Sequence, residues 1–172
     1  QQGMLFHGAF TAESQLYHDL MSIHLRMPCD VAAFECALQQ IIAAHPTLRT
    51  TFAMTEYSIP LQCVHAAIEA PFNYIDLRAL AIEAQREHIG TFLAMEKACH
   101  FPIERSLLFR CFLHQCEEEA FLFTISFHHA LLDGWSLAAL LTELFETYAA
   151  RLGLISDTKG THSEYIFREF LA

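Results

Sequence analysis

The sequence predicts an α/β domain in which helices pack against a sheet that contains an antiparallel pair of strands. Two apolar runs, "SLLFRCFLHQ" (106–115) and "AFLFTISFHH" (120–129), flank the acidic turn "CEEE", as antiparallel strands would. Helical spacing occurs at Val31, Phe34, Leu38, Ile41 and Ile42, and again at Leu137, Leu140, Leu141, Leu144, Phe145 and Tyr148. Neither an internal repeat nor a linker rich in Gly, Ser or Pro divides the chain, so one unit is expected.

The elements follow in order. "LYHDLMSIHLRM" (16–27) alternates imperfectly and reads as a strand. Pro28 and Asp30 follow it, and Asp30 is placed to cap a helix that runs from Val31, carries His45 on its face and stops before Pro46. "TLRTTFAM" (47–54) reads as a strand with "IPLQCVH" (59–65) as its hairpin partner, and "FNYIDL" (72–77) as a short extended piece. A helix with less regular patterning is expected over 79–97. In the second strand of the central pair, Phe121, Phe123, Ile125 and Phe127 share one face; strict alternation adds His129 to it and puts His128 opposite. The last helix begins after the Gly134 turn.

Composition narrows the function. A length of 172 residues suffices for one sizeable core, and 53% hydrophobic residues with 15 Phe exclude a disordered chain. A formal net charge of −10 argues against a nucleic acid partner, since phosphate binding needs a basic face; eleven histidines soften that charge as pH falls. No apolar stretch reaches the ~18 residues that span a membrane, and the N-terminus has no basic leader. Six cysteines, at 29, 36, 63, 99, 111 and 116, contain no CxxC and read as reduced, mostly buried thiols of a cytoplasmic protein. The opening "QQGMLFHGAF" lacks an initial Met and reads as mid-element, so a piece of a longer polypeptide is expected.

The chemistry concentrates in "SFHHALLDGWS" (126–136), where a strand ends and a helix begins. Such a junction fixes the backbone and presents unpaired N–H groups with a positive dipole end, which suits an anionic transition state. His128 or His129 can serve as general base, because an imidazole is a neutral proton acceptor near neutral pH. A metal is disfavoured, since adjacent strand histidines point to opposite faces and Asp133 adds too few ligands. A nucleophilic triad is disfavoured as well: Ser126 and Ser136 lack the G-x-S-x-G elbow, and Ser136 reads as a helix-start residue. The structural alternative stays open, with one histidine in the core and Asp133 and Gly134 making a turn and a helix cap.

"HHALLDG" (128–134) resembles the HHxxxDG signature of the condensation domains of nonribosomal peptide synthetases, and "GWS" continues its usual form. "QQGMLFHG" (1–8) resembles the end of the family's first motif, "HPTLRTTF" (45–52) its second, and "SEYIFREF" (163–170) faintly its next. The resemblance implies one chloramphenicol-acetyltransferase-like lobe, residues 1–172 being the N-terminal lobe of a two-lobe domain whose C-terminal lobe is missing. It implies an amide bond formed in a channel between the lobes, with donor and acceptor peptidyl carrier proteins delivering thioesters on phosphopantetheine arms. No cofactor or metal is expected on the lobe itself.

By the same resemblance His129 stands at the reaction centre, taking the amine proton or orienting the amine. His128 supports the motif, and Asp133 pairs with an arginine for which Arg49 is the candidate partner. Were that pair buried, removing one partner would strand the other at a cost of roughly 3–5 kcal/mol, so Asp133→Ala is expected to act through misfolding. Gly134 is expected to serve a tight turn and close substrate approach, and Trp135 to pack against the core or line the channel. His7 is expected to be structural, and Ala44 stands where the second motif often begins with a further arginine. Ester-forming or epimerising homologues share the motif, and a silent lobe that docks a carrier protein or a partner lobe is the non-enzymatic alternative; exposed apolar surface would then drive self-association.

Overall fold

The computed structural model describes residues 17–104 and 106–155. Strand β1 (His18–Arg26) leads to helix α1 (Val31–Ala44), whose N-cap is Asp30; its carboxylate accepts from the Ala33 amide at 2.9 Å, as the sequence predicts. A 3-10 helix (Pro46–Arg49) occupies the first part of the stretch expected to be extended. Proline at its first turn presets φ, so strand β2 is confined to Thr50–Ala53. β2 pairs antiparallel with β3 (Leu61–Val64), forming the expected hairpin.

Strand β4 (Phe72–Asp76), helix α2 (Ile82–Ala98), β5 (Phe109–Glu117), β6 (Ala120–His128) and helix α3 (Gly134–Arg151) complete the described elements. The main sheet is mixed, in the order β1-β6-β5-β4. β6 is antiparallel to both β1 and β5, and β4 lies parallel to β5, a pairing that the sequence pattern does not reveal.

Both faces of the sheet are covered. Phe121, Phe123, Ile125 and Phe127 project toward α1 and α3, where Phe34 is fully buried with its ring centroid 5.3 Å from Phe123 and 5.0 Å from Tyr148. Leu137, Leu140, Leu141, Leu144, Phe145 and Tyr148 of α3 are buried, as their spacing predicts. The Tyr148 hydroxyl accepts from the Asp30 amide at 2.9 Å and donates to the Pro28 carbonyl at 2.7 Å, tying α3 to the start of α1. On the opposite face α2 lays Phe92 against Phe112 and His114, with centroids 4.8 and 4.5 Å apart. This second face is polar yet sealed: Thr124, Ser126, His18 and His114 are each no more than 1% exposed, and His18 Nε2 lies 2.7 Å from Ser126 Oγ.

The expectation of mostly buried thiols is corrected. Of the six cysteines only Cys111 is buried, because its position on β5 faces the helices, whereas Cys36 and Cys99 are exposed. Among the described residues no helix is long and apolar enough to cross a membrane.

Candidate active site

The site begins where β6 runs out. The β1/β6 ladder pairs His18 with His128, and one further backbone bond, from the His129 amide to the Tyr17 carbonyl at 2.8 Å, holds the next residue in strand register. The chain then turns: the Leu131 amide donates to the His128 carbonyl at 2.8 Å, and α3 starts at Gly134. The two histidines consequently face opposite sides, as alternation requires.

His128 faces inward at 3% exposure. Its Nδ1 accepts the Ala130 amide at 3.0 Å, which puts the ring proton on Nε2, and its ring lies 5.9 Å from that of Tyr17. Burial, and secondarily the neighbouring His129 and His18, push its pKa down to about 4. His128 is therefore a neutral residue that shapes the turn.

His129 faces outward, its side chain 38% exposed and its ring edge-on to Phe127 at 5.8 Å. Its Nε2 stands 2.6 Å from Asp19 Oδ2, and its Nδ1 3.3 Å from the Leu132 carbonyl oxygen. Sequence reasoning missed Asp19. The signal was present, because Asp19 shares strand parity with Ile23 and Leu25 and so places a carboxylate on the apolar face of β1. Lys97 of α2 lies 4.0 Å from the same carboxylate and donates to the His18 carbonyl.

His129 also lines a cleft of about 550 Å³ between the HH turn, the outer side of α3 and the segment from His45 to Leu48. Across it His45 Nε2 meets Glu143 Oε2 at 2.7 Å, joining the end of α1 to α3. A second groove of about 620 Å³ runs along α2 and does not include His129.

The expected Asp133–Arg49 pair is not made. Asp133 is exposed and caps α3, its Oδ1 accepting the Ser136 amide at 2.8 Å; that bond holds its carboxyl below the usual range. Arg49 instead donates to the carbonyls of Ile42 (3.1 Å), Ala43, Ala66 and His65, closing the C-terminus of α1, where carbonyls lack helical partners. The penalty of stranding a buried charge thus does not apply to Asp133→Ala.

At Gly134 the backbone makes no special demand for glycine. It opens the helix without a positive φ, and an added Cβ would meet nothing within 4 Å. Trp135 is 89% exposed, which rules out the packing alternative within the described residues. His7, "QQGMLFHG" and "SEYIFREF" lie outside the described residues.

A part-exposed imidazole at a strand-to-helix junction beside a cleft is the arrangement that the motif leads one to expect. Comparison with known proteins identifies the family. The model of the Condensation domain family matches residues 1–170. A linear gramicidin synthase of Brevibacillus parabrevis is 36% identical over 163 residues, 95% of this chain and 2% of that protein. Bacitracin synthase 1 of Bacillus licheniformis is 32% identical over 148 residues, 86% of this chain and 3% of that protein. The crystal structure of the starter condensation domain of rhizomide synthetase superposes with a TM-score of 0.80 at 17% identity, covering 94% of this chain and 40% of that one. The chain spans a small fraction of the synthetases it matches and two-fifths of a solved condensation domain, and it belongs to the condensation domain family.

Proposed function

We propose that residues 1–172 form the N-terminal lobe of a condensation domain in a nonribosomal peptide synthetase and contribute His129 to amide bond formation. The observation that carries this reading is the half-exposed His129 at the cleft, set on a junction whose inward partner, His128, is locked and neutral. The substrates are thioesters on the phosphopantetheine arms of a donor and an acceptor carrier protein. The acceptor amine attacks the donor carbonyl, the new C–N bond forms as the C–S bond breaks, and the thiolate leaves. His129 takes the amine proton and returns it to the departing sulfur, so charge and protons balance. Holding both arms in line supplies the remaining acceleration.

His128 serves as the scaffold of the turn, Asp133 as the cap that starts α3 and Arg49 as the clasp of α1. Trp135, exposed beside the motif, lines the channel against the second lobe. The lobe on its own is inactive in this reading, because the opposing channel wall belongs to the rest of the domain. An amide product from the 172 residues alone would refute that part.

The test uses the synthetase polypeptide that carries this chain. Donor and acceptor carriers are loaded, and the thioester-bound amide is followed by mass spectrometry for the wild type and His129→Ala. Loss of product by about 100-fold or more at an unchanged Tm is expected; product near the wild-type rate would overturn the role of His129.

A further inference from the structure

We propose that Asp19 is a positioning residue for His129, fixing the orientation and tautomer of the imidazole that receives the amine proton. The inference rests on the reading of His129 as the proton acceptor. Asp19 sits on β1, the strand beside β6, and belongs to no part of the HHALLDG motif.

The geometry fixes the ring from three directions. Phe127 presents a ring at 5.8 Å, the Leu132 carbonyl stands 3.3 Å from Nδ1, and the Asp19 carboxylate meets Nε2 at 2.6 Å. Both partners of the short contact are anchored by the same ladder. Asp19 is in register with Phe127, and the His129 amide bonds to Tyr17 two residues before Asp19. The carboxylate and the imidazole are thus carried on adjacent strands of one sheet, a frame that holds a hydrogen bond more closely than a loop does.

The two contacts are unequal, and that decides the tautomer. A carboxylate accepts only, so the 2.6 Å bond keeps the proton on Nε2. The neutral ring then carries its lone pair on Nδ1, where the Leu132 carbonyl 3.3 Å away is itself only an acceptor and makes no hydrogen bond, so the lone pair is left to receive an incoming N–H. When that amine proton arrives the ring becomes cationic, and the carboxylate already in place balances the charge. Lys97 lies 4.0 Å from the other oxygen of the same carboxylate, Oδ1, and leaves Oδ2 to His129. The side chains of Asp19 and His129 are 49% and 38% exposed, and a pair this open adds little to stability. Its variants are accordingly expected to fold.

The experiment is a double-mutant cycle in the synthetase polypeptide with loaded carriers. Asp19→Ala is expected to lower kcat about 10–100-fold, the loss that accompanies a misplaced catalytic group, with KM for the acceptor carrier unchanged. Asp19→Glu, which keeps the carboxylate, is expected to recover part of the rate. In the His129→Ala background the same Asp19→Ala change is expected to have no further effect, because residues that act as one unit are not additive. A wild-type kcat for Asp19→Ala, or an equal loss in both backgrounds, overturns the proposal and leaves the role of His129 standing. If His129→Ala is itself without effect, the reading beneath the proposal fails, and the proposal with it. Should Asp19→Ala not fold, the isosteric Asp19→Asn carries the same cycle.

Discussion

His114 offers a quantitative test of the polar, sealed face of the sheet. Its side chain is fully buried against Phe92 and His88, and neither ring nitrogen has a hydrogen-bond partner among the described residues. Burial, reinforced by the charge of His88, pushes its pKa down to about 4, against an ordinary value of 6.5. The unfolded chain therefore binds a proton near pH 6.5 that the folded chain refuses until pH 4. Between those limits the unfolded state holds more protons, so stability is intact above pH 6.5 and falls with acidification. At about 1.4 kcal/mol per pKa unit, lowering the pH from 7 to 5 removes about 2 kcal/mol through His114. His128, also pushed to about 4, loses a similar about 2 kcal/mol, and His18 shifts in the same direction. The perturbation is His114→Leu, close in volume and without polar atoms, and the assay is chemical denaturation at pH 7 and pH 5. The variant is expected to be more stable at pH 7 by about 1–3 kcal/mol, the cost of an unsatisfied buried polar group. Its acid loss is expected to be about 2 kcal/mol smaller than that of the wild type. Equal acid losses in the two proteins would refute the assignment of this pH dependence to His114.

Two further substitutions probe what holds the site in place. Phe34→Ala, at the contact of α1, α3 and the sheet, is expected to cost about 3–5 kcal/mol by chemical denaturation, because a fully buried ring leaves a cavity. Tyr148→Phe keeps the ring and strands the Asp30 amide and the Pro28 carbonyl; a loss of about 1–3 kcal/mol is expected, and hydrogen exchange should locate it at the start of α1.

The helices of the outer layer were legible because burial and periodicity coincide there. Asp30 and Asp133 are each followed three residues later by the amide they cap, and Phe34 and Leu137 open apolar stripes of helical period. The strand after α1 was read too long, since Pro46 and Arg49 carry no periodic signal that separates a 3-10 turn from an extended segment. The partners of the motif residues were less legible. Resemblance directed Asp133 to Arg49, yet the nearer claims won: a helix N-terminus took the carboxylate, and the open carbonyls of α1 took the guanidinium. Asp19 was overlooked because its importance comes from a strand pairing across more than 100 residues of chain.

The sequence by itself determined the class of fold, the junction that bears the two histidines and the opposite directions in which they point. All three follow from local rules: a period of two along a strand, a period of 3.6 along a helix, and a short motif whose residues lie within one turn of each other. Tertiary structure alone decided the parallel pairing of β4, the burial of a polar sheet face beneath α2, and the meeting of Asp19 with His129. Those depend on which strands become neighbours, and strand order is settled by the packing of the whole core, on which neither period nor motif reports.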